Sequence, residues 1–458
     1  MSQPATRTPS LRWDLARDFA AQSGVLLRGP NDRLPRSRAD SFESDATRDF
    51  GGLWGQQPAF VLCPNDLEQT QSALRFLYDA AIPFTLRGAG HCPSGEVLSD
   101  GGAVLDLRGL SALLSTPSTG AARVQGGLFW LPLCSALAER GQAPRVLTDN
   151  PHTSVAGTLS VGGFGDSSHR FGLQIDCVRS ASIVLPTGEL RTVESDDPLL
   201  RYALAGHGQL GILAELLLPL WRRSWNLHAR VLHFRDVQSF VATSIRIAES
   251  RRFDYVRARA HGMPPHAISA VVGTYGVQLP PQSLRDLSPC DASDPEWIDF
   301  LAHWRQQGPP TWSRYNPALE VVLPLPAGLG LLQHLDALAH ELGPQRLPRG
   351  YSVLVLRGRG ASLLPLSPLP DSPWALIVAL RPECQDLDEA QHIQARFQAL
   401  LPRIADTGAT VYLASFPLPA EFVEHQLGAE RAPLLDLKRR VDPKGLCNRG
   451  ALFGYPLT

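Results

Sequence analysis

Gly88-Ala-Gly-His-Cys-Pro-Ser-Gly95 follows directly on the apolar run Pro83-Phe-Thr-Leu-Arg87, well before any helical pattern resumes. Glycines at 88 and 90 let backbone N–H groups come close to a ligand, because no Cβ stands in the way and positive φ costs nothing. Turns of this kind can cradle phosphates. The stretch nevertheless matches neither nucleotide fingerprint: Pro93 takes the last glycine position of GxGxxG, and no GKS or GKT follows. Alone, it reads more simply as a tight turn carrying a surface histidine.

Two further segments change that reading. Ser154-Val-Ala-Gly-Thr-Leu-Ser-Val-Gly-Gly-Phe-Gly165 runs on into Asp166-Ser-Ser-His-Arg-Phe-Gly172, rich in small residues and hydroxyls. Ala205-Gly-His-Gly-Gln-Leu-Gly-Ile212 again sets glycines before a strand. The plain alternative is a set of glycine-rich connections. Together the three suggest one extended, phosphate-bearing ligand lying against exposed backbone.

The surrounding pattern is α+β. Ala59 to Pro64 reads as a buried strand, Leu67 to Ile82 as a helix behind an Asp66 N-cap, and residues 83 to 87 as a second strand, together a βαβ unit. Strands are predicted at Gly102 to Leu107, Ala122 to Gln125, Ile183 to Leu185 and Leu210 to Leu220, and a helix at Phe129 to Glu139 closed by Gly141. Pro186-Thr-Gly188 is a turn. From Trp221 glycine clusters thin, and longer loops appear at Pro280 to Asp294 and Gly308 to Pro310, which sets a domain boundary near 221. A helical pattern resumes over Glu421 to Phe453.

With 458 residues, 44% of them hydrophobic, and a net charge of -1, the chain can bury a large core in two or more domains. Near-neutral charge gives no electrostatic reason to bind nucleic acid or an anionic membrane. The N-terminus lacks an apolar signal-like core, and no stretch reaches the roughly 18 apolar residues of a membrane span. A soluble, cytoplasmic protein is expected. Seven scattered cysteines without CxxC spacing suggest neither a disulfide framework nor a metal site. Only two lysines, Lys438 and Lys444, occur, a bias read as the coding preference of a GC-rich bacterial genome.

The order Arg87-Gly-Ala-Gly-His91, Val155-Ala-Gly-Thr-Leu-Ser160, Gly206-His-Gly-Gln-Leu-Gly-Ile212 resembles the FAD-binding fold shared by vanillyl-alcohol oxidase and p-cresol methylhydroxylase. Within that superfamily it is most like the cytokinin dehydrogenases. Ser44-Asp-Ala-Thr-Arg-Asp-Phe-Gly51, Leu147-Thr-Asp-Asn150, Phe253-Asp-Tyr-Val256, Glu421-Phe-Val-Glu-His425 and Leu437-Lys-Arg-Arg-Val-Asp-Pro443 carry that likeness along the chain. The resemblance implies a two-domain α+β flavoprotein of the p-cresol methylhydroxylase type. Residues 1–220 would form the FAD-binding domain, 221–419 a substrate-binding domain on an antiparallel sheet, and 420–458 a C-terminal segment returning to the FAD domain.

It also implies roles. FAD would be held by Arg87, Gly88, Ala89, Gly90, His91, Cys92, Gly95, Thr148, Asp149, Ser154, Gly157, Thr158, Ser160, Gly162, Gly163, Phe164, Gly211 and Ile212. His91 would be bonded to the 8α-methyl of FAD; the alternative is a histidine hydrogen-bonding over a non-covalent flavin. Cys92, where the family has serine, reads as a small filler more than a second tether. No metal is implied. Oxidation of a C–H bond next to nitrogen or oxygen needs a carbon over flavin N5 and a base for the heteroatom proton. Asp149 takes that role, desolvated by the glycine wall and raised in pKa; its alternative is an Asx turn capping Pro151. The substrate would be a small molecule, and oxygen or another acceptor would reoxidise the flavin.

Departures from the cytokinin enzymes cluster in the substrate pocket. Arg257 stands in place of a glutamate, Ala318 in place of a tryptophan, and the glutamine of a C-terminal turn is missing from Asn448 to Phe453, while Tyr412 remains at a pocket position. Arg257 would suit a carboxylate, its alternative being an ordinary surface arginine. The implied activity is therefore oxidation of an amine or alcohol other than a classical cytokinin, of the kind found in bacterial secondary metabolism. A flavin-fold cyclase or a redox-silent binding protein is the rival.

Overall fold

The computed structural model describes residues 9–32, 46–116, 120–261, 268–278, 287, 291–308, 315–361, 364–412, 415–449 and 452. Ser44, Asp45, most of the loop at 280 to 294, and Gly450, Ala451 and Phe453 of the closing segment lie outside them. Among the described residues three sheets are present, of four, six and nine strands, with helices packed on them. The α+β class read from the sequence is what is found.

The first sheet holds the RGAGH turn. Phe60–Cys63, Ala103–Asp106 and Phe84–Arg87 run parallel, and Leu26–Arg28 pairs antiparallel at the edge. The two strands of the expected βαβ unit are therefore not neighbours, because Ala103–Asp106 lies between them. Their helix is shorter than its apolar pattern, Leu67–Asp79 and not to Ile82. Asp66 does cap it, accepting from Gln69 N at 2.7 Å. It stops because Ala81 takes φ 53° and Ile82 precedes a proline, which disfavours helical backbone.

The second sheet is antiparallel and is organised by Ile212–Arg222, which pairs with Ala121–Gln125, Ser180–Val184 and Gln142–Pro144. Ser180–Val184 also forms a hairpin with Leu190–Glu194 across the Pro186–Gly188 turn. The glycine-rich stretch from Ser154 departs from the sequence reading, for it contains a short helix, Val155–Ser160, in place of an open connection. Gly157, Thr158 and Ser160 are poor helix formers, so propensity gave no sign of it. Tertiary bonds hold it instead: Ala156 N donates to Gly126 O at 2.8 Å and Val155 N to Leu128 O at 2.9 Å.

The third sheet spans Asn226 to Val411 and is antiparallel throughout. Its central strands Tyr255–Ala260, Tyr351–Arg357, Trp374–Leu380 and Leu319–Leu325 lie side by side. The helix Val237–Ser250 packs on this sheet, as does Leu329–Arg346. No helix among the described residues is long and apolar enough to cross a membrane.

The chain's end returns to the first sheet. Phe84 N donates to Leu446 O and Asn448 N to Phe84 O, each at 2.9 Å. Above this seam Lys438, 1% exposed, donates to Gln209 O and Cys447 O at 2.8 Å and pairs with the fully buried Asp442 at 2.8 Å. Removing one member of a buried ion pair strands the other's charge, at a cost of about 3–5 kcal/mol. Lys438→Met should therefore lower unfolding free energy by about that amount in urea titrations, and adding Asp442→Leu should return part of it. A loss below about 1 kcal/mol would mean that this clamp is not a stability element.

Candidate flavin and substrate site

Two of the glycine segments meet at Ser154. A Cβ at Gly88 would press into Ser154 Oγ, and one at Gly157 would stand 2.6 Å from the same atom. Gly90 has φ 76°, and a Cβ there would lie 2.6 Å from Arg87 Nη2. The Arg87 guanidinium, fully buried, thus sits directly beneath the turn. Bare backbone over a buried cation suits an extended anionic ligand such as the pyrophosphate of FAD. The residues present fit that group.

His91 crosses from this turn to the next loop. Its Nδ1 lies 3.2 Å from Asn150 Nδ2, and its ring packs on Phe50 with centroids 4.9 Å apart. Asn150 Oδ1 accepts from His152 N at 3.0 Å, so the amide nitrogen faces the imidazole and donates to Nδ1. Burial among protein atoms, with His152, Arg87 and Arg381 nearby, pushes the His91 pKa down to about 3. At neutral pH it is an uncharged imidazole.

Other cradle residues divide. Cys92 Sγ lies 2.8 Å from Ser94 Oγ, and burial pushes its thiol well up, as befits a filler and not a nucleophile. Gly95 and Gly162 take φ 74°, and Pro368 covers Gly162. Gly163 is pressed by Gln174, and the Phe164 ring meets Tyr412 edge-on at 5.6 Å. The Thr158 hydroxyl is already engaged, accepting from Trp130 Nε1 at 3.0 Å, and Ser160 O accepts from His207 N at 2.8 Å. Ala89 is buried beside His91, whereas Thr148 is half-buried beside Asp149. Gly211 packs on Val184 and Leu185, and Ile212 belongs to the core with Ala103 and Leu105.

Asp149 differs from expectation in its surroundings. Its side chain is 46% exposed, not desolvated, and an ion pair at 3.2 Å joins it to Arg257 Nη2. The Asx turn weighed for it is formed by Asn150 instead. Arg257 is correspondingly neither free for a ligand nor an ordinary surface arginine, and the Asp149 carboxylate raises its pKa.

Arg257 lies on the strand Tyr255–Ala260, where alternate residues share a face. Arg259 lies beside it, and cross-strand partners continue one row through Ser352 and Ala379 to Glu320. Arg381 falls two residues beyond Ala379, and Ala318 two before Glu320. Arg381 Nε donates to Glu320 Oε1 at 2.8 Å. Tyr412 N donates to Glu320 O at 2.8 Å, which places Tyr412 at the edge of the same face. The three pocket residues read from sequence thus gather at one sheet face, although Arg259, Arg381, Glu320 and Asn150 were missed. Arg257-x-Arg259 in a strand was the available signal: period two sets both cations on one side.

Comparison with known proteins points to the same cofactor. Residues 58–194 match the family described as FAD binding domain. The chain is 34% identical over 218 residues to an uncharacterized oxidoreductase, ORF5 in the fasciation locus of Rhodococcoides fascians, covering 47% of this chain and 50% of that protein. It is 32% identical over 262 residues to cytokinin dehydrogenase 7 of Oryza sativa subsp. japonica, covering 53% and 50%. With cytokinin dehydrogenase 2 of Arabidopsis thaliana the identity is 29% over 205 residues, covering 44% and 41%. The chain spans about half the length of the curated relatives it matches.

Gly88→Ala tests the cradle. Its Cβ should push Ser154 aside and lower the flavin-to-protein ratio of the purified chain, read from absorbance at 450 and 280 nm. Ser154→Ala in the same chain, which removes the colliding oxygen, should restore it. An unchanged ratio in Gly88→Ala would show that the close approach of these segments does not shape the flavin site.

Proposed function

We propose that this chain, an FAD-binding protein of the p-cresol methylhydroxylase type that resembles the cytokinin dehydrogenases, is an FAD-dependent oxidoreductase acting on a small amine or alcohol. Bound FAD would supply the two-electron acceptor for a C–H bond next to nitrogen or oxygen, with oxygen or another acceptor restoring it. The observation that carries the reading is the meeting of the glycine cradle, His91 and the Asp149–Arg257 pair within one site.

Each residue has a task. Arg87 and the backbone from Gly88 to Gly90 would hold the pyrophosphate. His91, uncharged at neutral pH, would hold the flavin at its 8α-methyl through a ring nitrogen, whose free lone pair a protonated ring would lack. Asp149 accepts the heteroatom proton of the substrate. Its position is set by Arg257 on one side and by the Asn150 turn on the other, so that the carboxylate stays at the mouth of the face bearing Glu320 and Tyr412. Residues 1–220 and 420–458 would form the flavin-binding part and 221–419 the substrate part, a division supported by the seam between Phe84 and the Leu446–Asn448 segment.

Two measurements test this. Acid-precipitated protein should stay yellow, with a mass greater than the chain by one FAD, and His91→Ala should release its flavin; a colourless wild-type pellet removes the covalent bond. Asp149→Asn should slow flavin reduction by about 10²- to 10⁴-fold, the usual loss on removing a general base, with little change in KM. Reduction at the wild-type rate would leave Asp149 no part in the proton transfer.

A further inference from the structure

Of the three arginines on the site face, two have carboxylate partners. Arg257 pairs with Asp149 at 3.2 Å, and Arg381 with the buried Glu320. Arg259 lies between them, half-buried, and makes no ion pair with any carboxylate among the described residues. Its cross-strand neighbours are serines, Ser269 and Ser352. Burial and the surrounding cations Arg257, Arg349 and Arg381 push its pKa down, while Asp149 acts in the opposite direction. His261 adds a further group whose charged form Arg259 disfavours. A half-buried guanidinium among like charges, beside neutral hydroxyls, is complementary to an anion arriving from outside.

Resting on the oxidoreductase reading above, we infer that Arg259 is the anchor for an anionic group of the substrate, a carboxylate or an oxyanion of similar size, and that the substrate is an acid bearing the oxidisable amine or alcohol. Arg257 belongs to Asp149 and sets its position. Arg259, one alternate position further along the same strand, holds the charged end of the molecule away from the reacting carbon. Ser352, on one side, is placed to add a hydroxyl hydrogen bond, while the Ser269 hydroxyl on the other already meets His233 Nδ1 at 3.0 Å. Planar bidentate recognition by a guanidinium also discriminates against the neutral amide of the same shape.

The test uses the purified full-length chain with whatever flavin it carries, and pairs of probes that differ only in charge: acetate with acetamide, benzoate with benzamide, phenylacetate with phenylacetamide. Calorimetric titration should show at least one acid binding tenfold or more tighter than its amide. Arg259→Met should weaken that acid by about 10- to 100-fold, the scale of a charge-assisted hydrogen bond, and leave amide binding and the flavin-to-protein ratio unchanged. Arg259→Lys, which keeps the charge and loses the fork, should retain an intermediate affinity and covers the case in which the methionine variant does not fold. Acids that bind no better than their amides, or an Arg259→Met chain that binds the acid as wild type does, would overturn the assignment. Flavin content is read on the same samples. Absence of flavin would defeat the oxidoreductase reading while leaving the acid-over-amide preference to be judged independently.

Discussion

The ion pair between Asp149 and Arg257 is the contact on which the site depends, because it ties the nine-stranded sheet to the loop beside the glycine cradle. Its strength is not what matters. With 46% and 26% of the two side chains exposed, such a pair is worth roughly 0–1 kcal/mol. Geometry on either side holds it in place. Asn150 makes the turn-capping bond to His152 and a second bond to His91, so one residue fixes both the loop that presents Asp149 and the imidazole opposite. Strand register does the same for Arg257, whose position between Tyr255 and Arg259 is set by pairing with two neighbouring strands.

Deeper in the protein, polar groups stabilise the walls that the site needs. Tyr275 donates to Asp166 at 3.1 Å, and the Arg223 guanidinium lies over the Tyr275 ring, 3.4 Å from its centroid. Ser167 Oγ donates to Asp254 O at 2.7 Å, and Val256 N to Asp166 O at 3.0 Å. These bonds join the segment after the central glycines to the start of the strand that bears Arg257 and Arg259. The glycine wall and the arginine face are thus held in one relation by these bonds as well as by the ion pair that spans them.

Much of this was legible in the sequence, and the reasons for the rest are physical. The RGAGH turn was readable because close backbone approach demands glycine whatever the ligand, and the Asp66 cap because its chemistry is local. Val155–Ser160 was hidden since a helix of six residues with glycine and hydroxyls is made by its tertiary bonds. The solvent exposure of Asp149 was hidden for a similar reason: a glycine-rich neighbourhood suggests a tight wall, yet burial depends on what the third sheet brings across. Thr158 reads as a ligand contact, but the indole of Trp130, distant in sequence, already takes its oxygen.

Arginine at position 257 changes more than one contact. If the glutamate implied by the likeness to cytokinin dehydrogenases stood there, Asp149 would face a like charge, and the surplus of cations at this face would be lost. With arginine the acids, Asp149 and Glu320, are outnumbered by Arg257, Arg259 and Arg381. The face gains a surplus of positive charge. A surplus negative charge favours cationic or neutral amines and repels acids, whereas a surplus positive charge does the reverse, because in a partly desolvated cleft the sign of the summed charge decides which ligand arrives and stays. At Ala318, which is buried, the aromatic platform implied by the likeness is absent. On the proposed reading, the same loop and sheet would keep Asp149 in place while the charge around it suits a different class of molecule.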